Sequence, residues 1–313
     1  MKFALSTNWC NRKINDGEII AAKALELGFD ELELGFRTSP EQVAGFKKML
    51  SQIPVKSIHA FCPVPVSAPA PHPELYSLAS FSLEERRLAS LHLGRNIEFA
   101  SRLGATCVVL HAGRVMFSSL FKIIDSNTLR ASFEKSGKDI AKAPYAKLLA
   151  KAKKIREKNG RKLIEIFKTT LAGTVKTLEK NGVVLGLENL PYLEGFPNEE
   201  EMAELLKDFA GAPIRPWFDT GHHRVRYMHG WTDENLAHEP GQFAGMHLND
   251  VLDYDDDHLA PGEGKVDFAA LKPLAEKVEH IVLEPCQDVT EERLAQGLKF
   301  IKSLWSLDPR EQK

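Results

Sequence analysis

The chain has no C-x-x-C pair, no apolar run near the ~18 residues needed to cross a bilayer, and almost no net charge. Each absence removes a class of protein. The four cysteines, Cys10, Cys62, Cys107 and Cys286, are dispersed, which suits a reducing compartment and excludes a disulfide-stapled scaffold. The opening MKFALSTNWCN holds too short an apolar run for a signal peptide and lacks a small-residue cleavage site. A cytoplasmic location with no membrane partner is therefore expected. A formal charge of −2 gives no global attraction to nucleic acid or anionic lipid. No G-x-G-x-x-G follows the first apolar run, so the signature of a dinucleotide-binding sheet is missing.

What is present is a regular alternation. Short apolar runs read as strands at 2–7, 31–35, 55–61, 106–113, 183–190, 214–222, 243–250 and 280–285. Helical patterns fall between and after them, at 18–28, 39–52, 82–104, 144–181, 198–210, 267–279 and 290–306. Ser39 with Pro40, Ser82 with Glu85, and Asn198 mark helix starts. Residues 114–145 have weak period and read as an insertion. The strands are continuous Val/Ile/Leu runs, the pattern of a parallel sheet covered on both faces. Eight such units over 313 residues predict an α/β fold, a single-domain (β/α)8 barrel spanning 1–313.

In such a barrel the C-terminal ends of the strands share one face, which carries the chemistry. Here the strand ends carry His59, His111, Glu188, Asp219 followed by His222, His247 and Glu284. Any one of these is ordinarily a hydrogen-bonded structural residue. Their coincidence at one end of six successive strands is what points to a site. Glu188, Asp219 and Glu284 together would repel one another, and a divalent cation resolves that cost. The stretch HLNDVLDYDDDHLAPGEG, 247–264, adds six acids and two histidines in eighteen residues.

The motifs LGLEN, FDTGH, MHLND, D-x-H-L-A-P-G-E-G and VLEP resemble the xylose isomerase-like TIM barrels over nearly the whole chain. That superfamily includes sugar and sugar-phosphate isomerases and epimerases, inosose-processing enzymes and endonuclease IV-type abasic-site nucleases. The resemblance to its epimerases implies one divalent metal (Mn, Mg, Co or Zn) held by Glu188, Asp219, His247 and Glu284. It also implies Glu188 and Glu284 as acid and base, and His222 on a substrate oxygen. The resemblance to the nucleases implies up to three metals, with His59, His111, His222, Asp256 and His258 as additional ligands.

The leading expectation is a metal-dependent isomerase or epimerase acting on a small carbohydrate-like substrate. The alternative is a multi-zinc phosphodiester hydrolase for abasic DNA. A metabolite-binding barrel without turnover is the third reading, and self-association into a homo-oligomer stays open. An acidic 247–264 loop speaks against nucleic acid. The basic run at 147–168, nine Lys/Arg against two Glu, reads as a solvated helix face. Arg37, Arg114, Arg224 and Arg226 are candidates to hold a phosphate or carboxylate, with plain surface charge as the alternative. Trp9, Phe61, Trp217 and Trp231 are candidates to stack on a sugar ring, with core packing as the alternative.

Overall fold

The computed structural model describes residues 1–66, 68–115, 124–235, 238–255 and 258–306. In chain order the strands are β1 (Ala4–Ser6), β2 (Glu31–Leu34), β3 (Val55–His59), β4 (Cys107–Leu110), β5 (Gly113–Arg114), β6 (Val184–Glu188), β7 (Gly195–Phe196), β8 (Ile214–Asp219), β9 (Gly245–Leu248) and β10 (His280–Leu283). The α-helices are α1 (Gly17–Glu26), α2 (Pro40–Met49), α3 (Leu83–Leu103), α4 (Ser126–Lys135), α5 (Ala143–Asn181), α6 (Glu199–Asp208), α7 (Thr220–Met228), α8 (Lys272–Ala275) and α9 (Glu291–Ser306). Eight strands close in the order β1-β10-β9-β8-β6-β4-β3-β2, all neighbours parallel. This is the (β/α)8 barrel expected from the strand runs. The remaining two, β5 and β7, pair antiparallel outside it. No described helix is long and apolar enough to cross a membrane.

The helices start where the sequence places caps. Ser39 and Gln42 form a reciprocal capping box on α2, as do Asn198 and Glu201 on α6. On α3, Ser82 accepts from the Glu85 N–H at 3.3 Å, but the Glu85 carboxylate turns instead to the Ser80 hydroxyl at 2.5 Å. Three boundaries differ from the expectation. The expected strand 214–222 ends at Asp219, because its carboxylate caps α7 by accepting from the His222 N–H at 2.7 Å. The expected helix 267–279 shrinks to α8, since Pro273 fits only its first turn and cannot lie inside a longer helix. Within 114–145, residues 126–135 form α4, with Asp125 accepting from the Thr128 N–H as cap.

The main core lies between barrel and helices. A second apolar cluster joins Leu129 and Phe133 of α4 to Tyr145 and Ala152 of α5, with Trp231. Inside the barrel, Trp217 fills the space with Ala4, Cys107, Val109 and Val282. It fits because Gly186 and Gly245 flank it, and a Cβ at Gly245 would overlap its ring. All four cysteines are free.

The basic run on α5 is mostly exposed; Lys168 is half-buried among Glu165, Glu204 and Asp208, and Arg156 is fully buried. Only 4% exposed, Arg156 donates to the Glu201 carboxylate, to Gly195 O at 2.7 Å and to Leu193 O at 3.3 Å. Reading every basic residue there as solvated was wrong for Arg156, which anchors α5 to α6. Gly160 makes room for this pair, because a Cβ there would overlap both side chains. Gly→Ala in a helix ordinarily gains up to ~1 kcal/mol. At Gly160 the opposite is expected, a loss on the order of 1–3 kcal/mol from overpacking. Urea denaturation of Gly160→Ala checks this, and a stabilised variant would contradict it.

A second pair joins α6 to α7. Glu199 receives both Arg226 nitrogens, at 2.7 and 2.9 Å. Burial alone would raise its pKa, but Arg226 outweighs burial and brings it from 4.5 to about 2. A depressed carboxylate stabilises above its unfolded pKa and loses that contribution as pH falls through the folded one. The Tm deficit of Glu199→Gln is therefore expected to be full at neutral pH and to shrink from about pH 4.5 toward about pH 2. A deficit constant with pH would contradict it.

Candidate metal centre

The strand ends deliver their polar side chains to one place. Glu188 closes β6, Asp219 closes β8, and Glu284 follows β10, while His247 lies in β9 in register with Asp219. All four are buried, Asp219 and His247 completely. Nδ1 of His247 lies 3.0 Å from Glu188 Oε1, 3.1 Å from Glu284 Oε2 and 3.7 Å from Asp219 Oδ2. One ligand atom from each of the four lies within 4.8 Å of the others, as does one from each of His59, His111 and Glu188. Glu188 belongs to both groups.

The histidine tautomers follow from the partners of their other nitrogens. His247 Nε2 lies 3.1 Å from Glu33 Oε1, which takes its N–H and so would leave the Nδ1 lone pair, facing the three carboxylates, for a bound cation. His59 donates Nδ1–H to Ala60 O at 2.8 Å, His222 to Asn189 O at 2.8 Å and His258 to Glu284 O at 2.9 Å. Each then carries its lone pair on Nε2, and that of His59 lies 3.1 Å from Glu188 Oε2. Lone pairs aimed at carboxylates repel unless a proton or a cation lies between them. The donor set fits a divalent ion on these grounds, with backbone carbonyls and Glu33 as orienting partners.

Charges respond accordingly. Burial would lower the His247 pKa, but Glu284, Glu33 and Glu188 lift it well above the ordinary histidine value. For His111, burial is likewise outweighed by Glu188 and Glu74, which bring it to about 9. Burial would raise Glu188, yet His247 and His111 hold it well below the carboxylate range. Asp219 goes the other way, raised by burial.

Several supporting residues were missed by sequence reasoning. Glu33 sits in the barrel with Ser57 Oγ donating to it at 2.8 Å. Its signal is ELEL, where acids alternate with leucines in a buried strand. Asn249 donates to Asp219 Oδ2 at 2.7 Å, and Asn8 and Ser6 donate to Glu284 Oε1 at 2.8 and 3.3 Å. Gly221 of FDTGH lets Asn249 approach, since a Cβ there would collide with its amide. Glu74 links Arg114, at 2.6 Å, to His111, at 3.7 Å.

Of the other expected residues, His222 and His258 join the cluster edge-on, their rings 5.4 Å apart, and Asp256 lies outside the described residues. His258 takes a left-handed backbone with φ 45°. Arg37 reaches the rim beside Glu284 and His258. The structure does not bring Trp9, Phe61, Trp217 or Trp231 to a sugar-stacking position at the mouth. Trp9 is buried with Nε1 on Val289 O at 2.7 Å, Phe61 is buried against Tyr76, and Trp231 stacks on His229. Trp217 lies under His247, ring centroids 5.0 Å apart. Arg226 is committed to Glu199, Arg114 to Glu74, and Arg224 lies over Tyr227.

In the 247–264 loop, Asp250 is buried and accepts the N–H groups of Gly262, Gly264 and Val266 at 3.0, 2.8 and 3.0 Å. It organises the Pro-Gly-Glu-Gly turn. Asp253 and Asp255 pair with Lys138 and Arg130. Both carboxylates are largely exposed, solvated charges that reach the inserted segment and its helix α4 across the surface.

A closed parallel barrel with a histidine–carboxylate cluster at its C-terminal mouth defines the class. Residues 21–304 match the xylose isomerase-like TIM barrel family, and the chain belongs to it. An uncharacterized protein of Methanocaldococcus jannaschii is 31% identical over 102 residues, 32% of this chain and 35% of that protein. The chain thus matches about a third of the length of this curated relative. Among solved structures, a D-tagatose 3-epimerase-like protein has a TM-score of 0.63 at 21% identity, covering 98% of this chain and 97% of that one. A 3-keto-D-glucoside 4-epimerase from E. coli has 0.65 at 14%, covering 97% and 99%. A D-psicose 3-epimerase from Clostridium cellulolyticum has 0.60 at 15%, also covering 97% and 99%. At these identities the likeness establishes the fold.

Because Glu33 fixes the His247 tautomer, Glu33→Gln is expected to weaken binding of a divalent metal by about 10–100-fold. Competition with a fluorescent chelator measures it, and an unchanged affinity would rule out the orienting role.

Proposed function

We propose that this protein is a divalent-metal-dependent isomerase or epimerase of a small hydroxycarbonyl sugar. The observation that carries the reading is the convergence of Glu188 and Glu284, from β6 and β10, on one nitrogen of His247 at 3.0 and 3.1 Å. The sugar epimerases among the similar structures support the same reading.

Glu188, Asp219, His247 and Glu284 would hold the metal. A cation bound there supplies Lewis acidity toward a substrate carbonyl and its neighbouring hydroxyl, without which the adjacent C–H is too weak an acid. The residues do the proton work. Glu284 borders a cavity that opens to the surface and takes the proton from the substrate carbon. Glu188, on the other side, delivers to the opposite face a different proton, one it has drawn from solvent. Glu284 keeps the proton it removed and releases it to solvent afterwards. His222, fixed by Asn189 O, presents its Nε2 lone pair at the mouth to accept from a substrate hydroxyl. Asn8 and Ser6 hold the Glu284 carboxylate in place.

The second reading, a multi-zinc phosphodiester hydrolase, is favoured by one observation: two donor groups share Glu188, which leaves room for a second ion. Cleavage of an abasic-site oligonucleotide, together with about three zinc ions per chain by analogy with two- and three-metal hydrolases, would establish it.

Solvent deuterium uptake at the carbon beside the carbonyl, measured on a panel of ketoses, tests the isomerase reading. Uptake is expected with the metal-loaded protein and should fall at least ~10²-fold in Glu284→Gln. Full exchange in that variant would remove Glu284 from the chemistry.

A further inference from the structure

Beside the cluster, between the ends of β1, β2 and β10, lies a cavity of about 370 Å³ lined in part by Asn8, Arg12, Phe36, Arg37, His258 and Glu284. It shares Glu284 and His258 with the candidate metal centre, so it continues the barrel mouth toward β1 and β2. Two guanidinium groups face it. Among the described residues neither Arg12 nor Arg37 has a carboxylate within 4.0 Å or a side-chain hydrogen bond, although Arg114, Arg130, Arg156, Arg226 and Arg293 are all paired. The Asp288 carboxylate lines the same cavity and pairs with neither.

Arg37 is half-buried and positioned. Its backbone N–H reaches Asn8 Oδ1 at 3.4 Å and its guanidinium lies over the Phe36 ring at 4.8 Å. Burial and the neighbouring Arg12 disfavour its charge, and Glu284 offsets them only in part. Two like charges brought together, Arg37 on a partly dry wall and Arg12 at its exposed edge, with no carboxylate in contact with either, cost energy until an anion joins them. Guanidinium forks match phosphate oxygens in pairs, and two of them suit a dianion.

We propose that Arg12 and Arg37 form a phosphate-binding subsite at the edge of the barrel mouth. The substrate is then a phosphorylated sugar, its phosphate on the arginine pair and its reacting carbon between Glu188 and Glu284. The second half of this inference rests on the isomerase reading above; the subsite itself does not. Phe36, edge-on to His59 at 5.5 Å, forms the apolar wall between the two ends of the substrate.

Calorimetric titration of the metal-loaded protein with D-fructose 6-phosphate, D-fructose, D-gluconate and inorganic phosphate tests it, in wild type, Arg12→Gln, Arg37→Gln and the double variant. D-Fructose 6-phosphate is expected to bind at least about tenfold tighter than D-fructose, the worth of one charge-assisted pair. That preference should weaken in each single variant and vanish in the double, with D-fructose affinity and Tm little changed. A preference that survives the double substitution would place the phosphate on the metal centre and overturn the subsite. So would equal binding of the two sugars, and tighter arginine-dependent binding of D-gluconate would overturn the choice of phosphate. If no sugar binds but inorganic phosphate binds in an arginine-dependent way, the subsite stands and the sugar reading falls.

Discussion

Three carboxylates held within a few ångströms of each other, out of water, are the constraint on which the rest of this structure depends. At 4 Å and an effective dielectric near 20, each like-charged pair repels by about 4 kcal/mol. Protonating His247 and His111 relieves this only by placing further charge out of water. The barrel nevertheless brings Glu188, Asp219 and Glu284 around His247 Nδ1, and it surrounds them with groups that fix their orientation. Glu33, Asn249, Asn8 and Ser6 each commit a side chain to holding one ligand atom in place. Such an arrangement costs stability unless a cation with charge to match is part of the folded protein.

The architecture around the cluster follows from that need. Trp217 fills the barrel beneath His247; a Cβ at Gly245 would overlap its ring and one at Gly186 would crowd it. Asp219 serves twice, as a cluster carboxylate and as the cap of α7, so the helix start and the site share one residue. Arg130 of α4 and Lys138 of the turn after it pair with the acidic 247–264 loop. Arg156 pins α5 to α6 in turn.

Much of this was legible in the sequence. Buried parallel strands are unbroken apolar runs, so a polar residue at the end of each stands out, and the fold and the cluster positions could be read together. What could not be read depends on register between distant segments. Glu33 looks like any strand acid until β9 sets His247 beside it, and Asn8 and Asn249 are ordinary polar residues until their strands close the barrel. Arg12 lies in an exposed turn and gains meaning only from Arg37 across the cavity. Tryptophan position misled in the other direction: Trp9 follows the first strand, where a sugar-stacking ring would sit, yet its indole turns inward to Val289. Pro273 and the Asp219 cap moved element boundaries for reasons local enough to have been seen.

The cluster's chemistry turns on whether it holds a metal ion. Elemental analysis of the purified protein, with Tm recorded before and after chelation, addresses that directly. At least one divalent ion per chain is predicted, with a Tm that falls when the ion is removed and recovers when it is restored. A chain that carries no metal, and whose Tm is unmoved by added Mn²⁺, Mg²⁺, Co²⁺ or Zn²⁺, would contradict it.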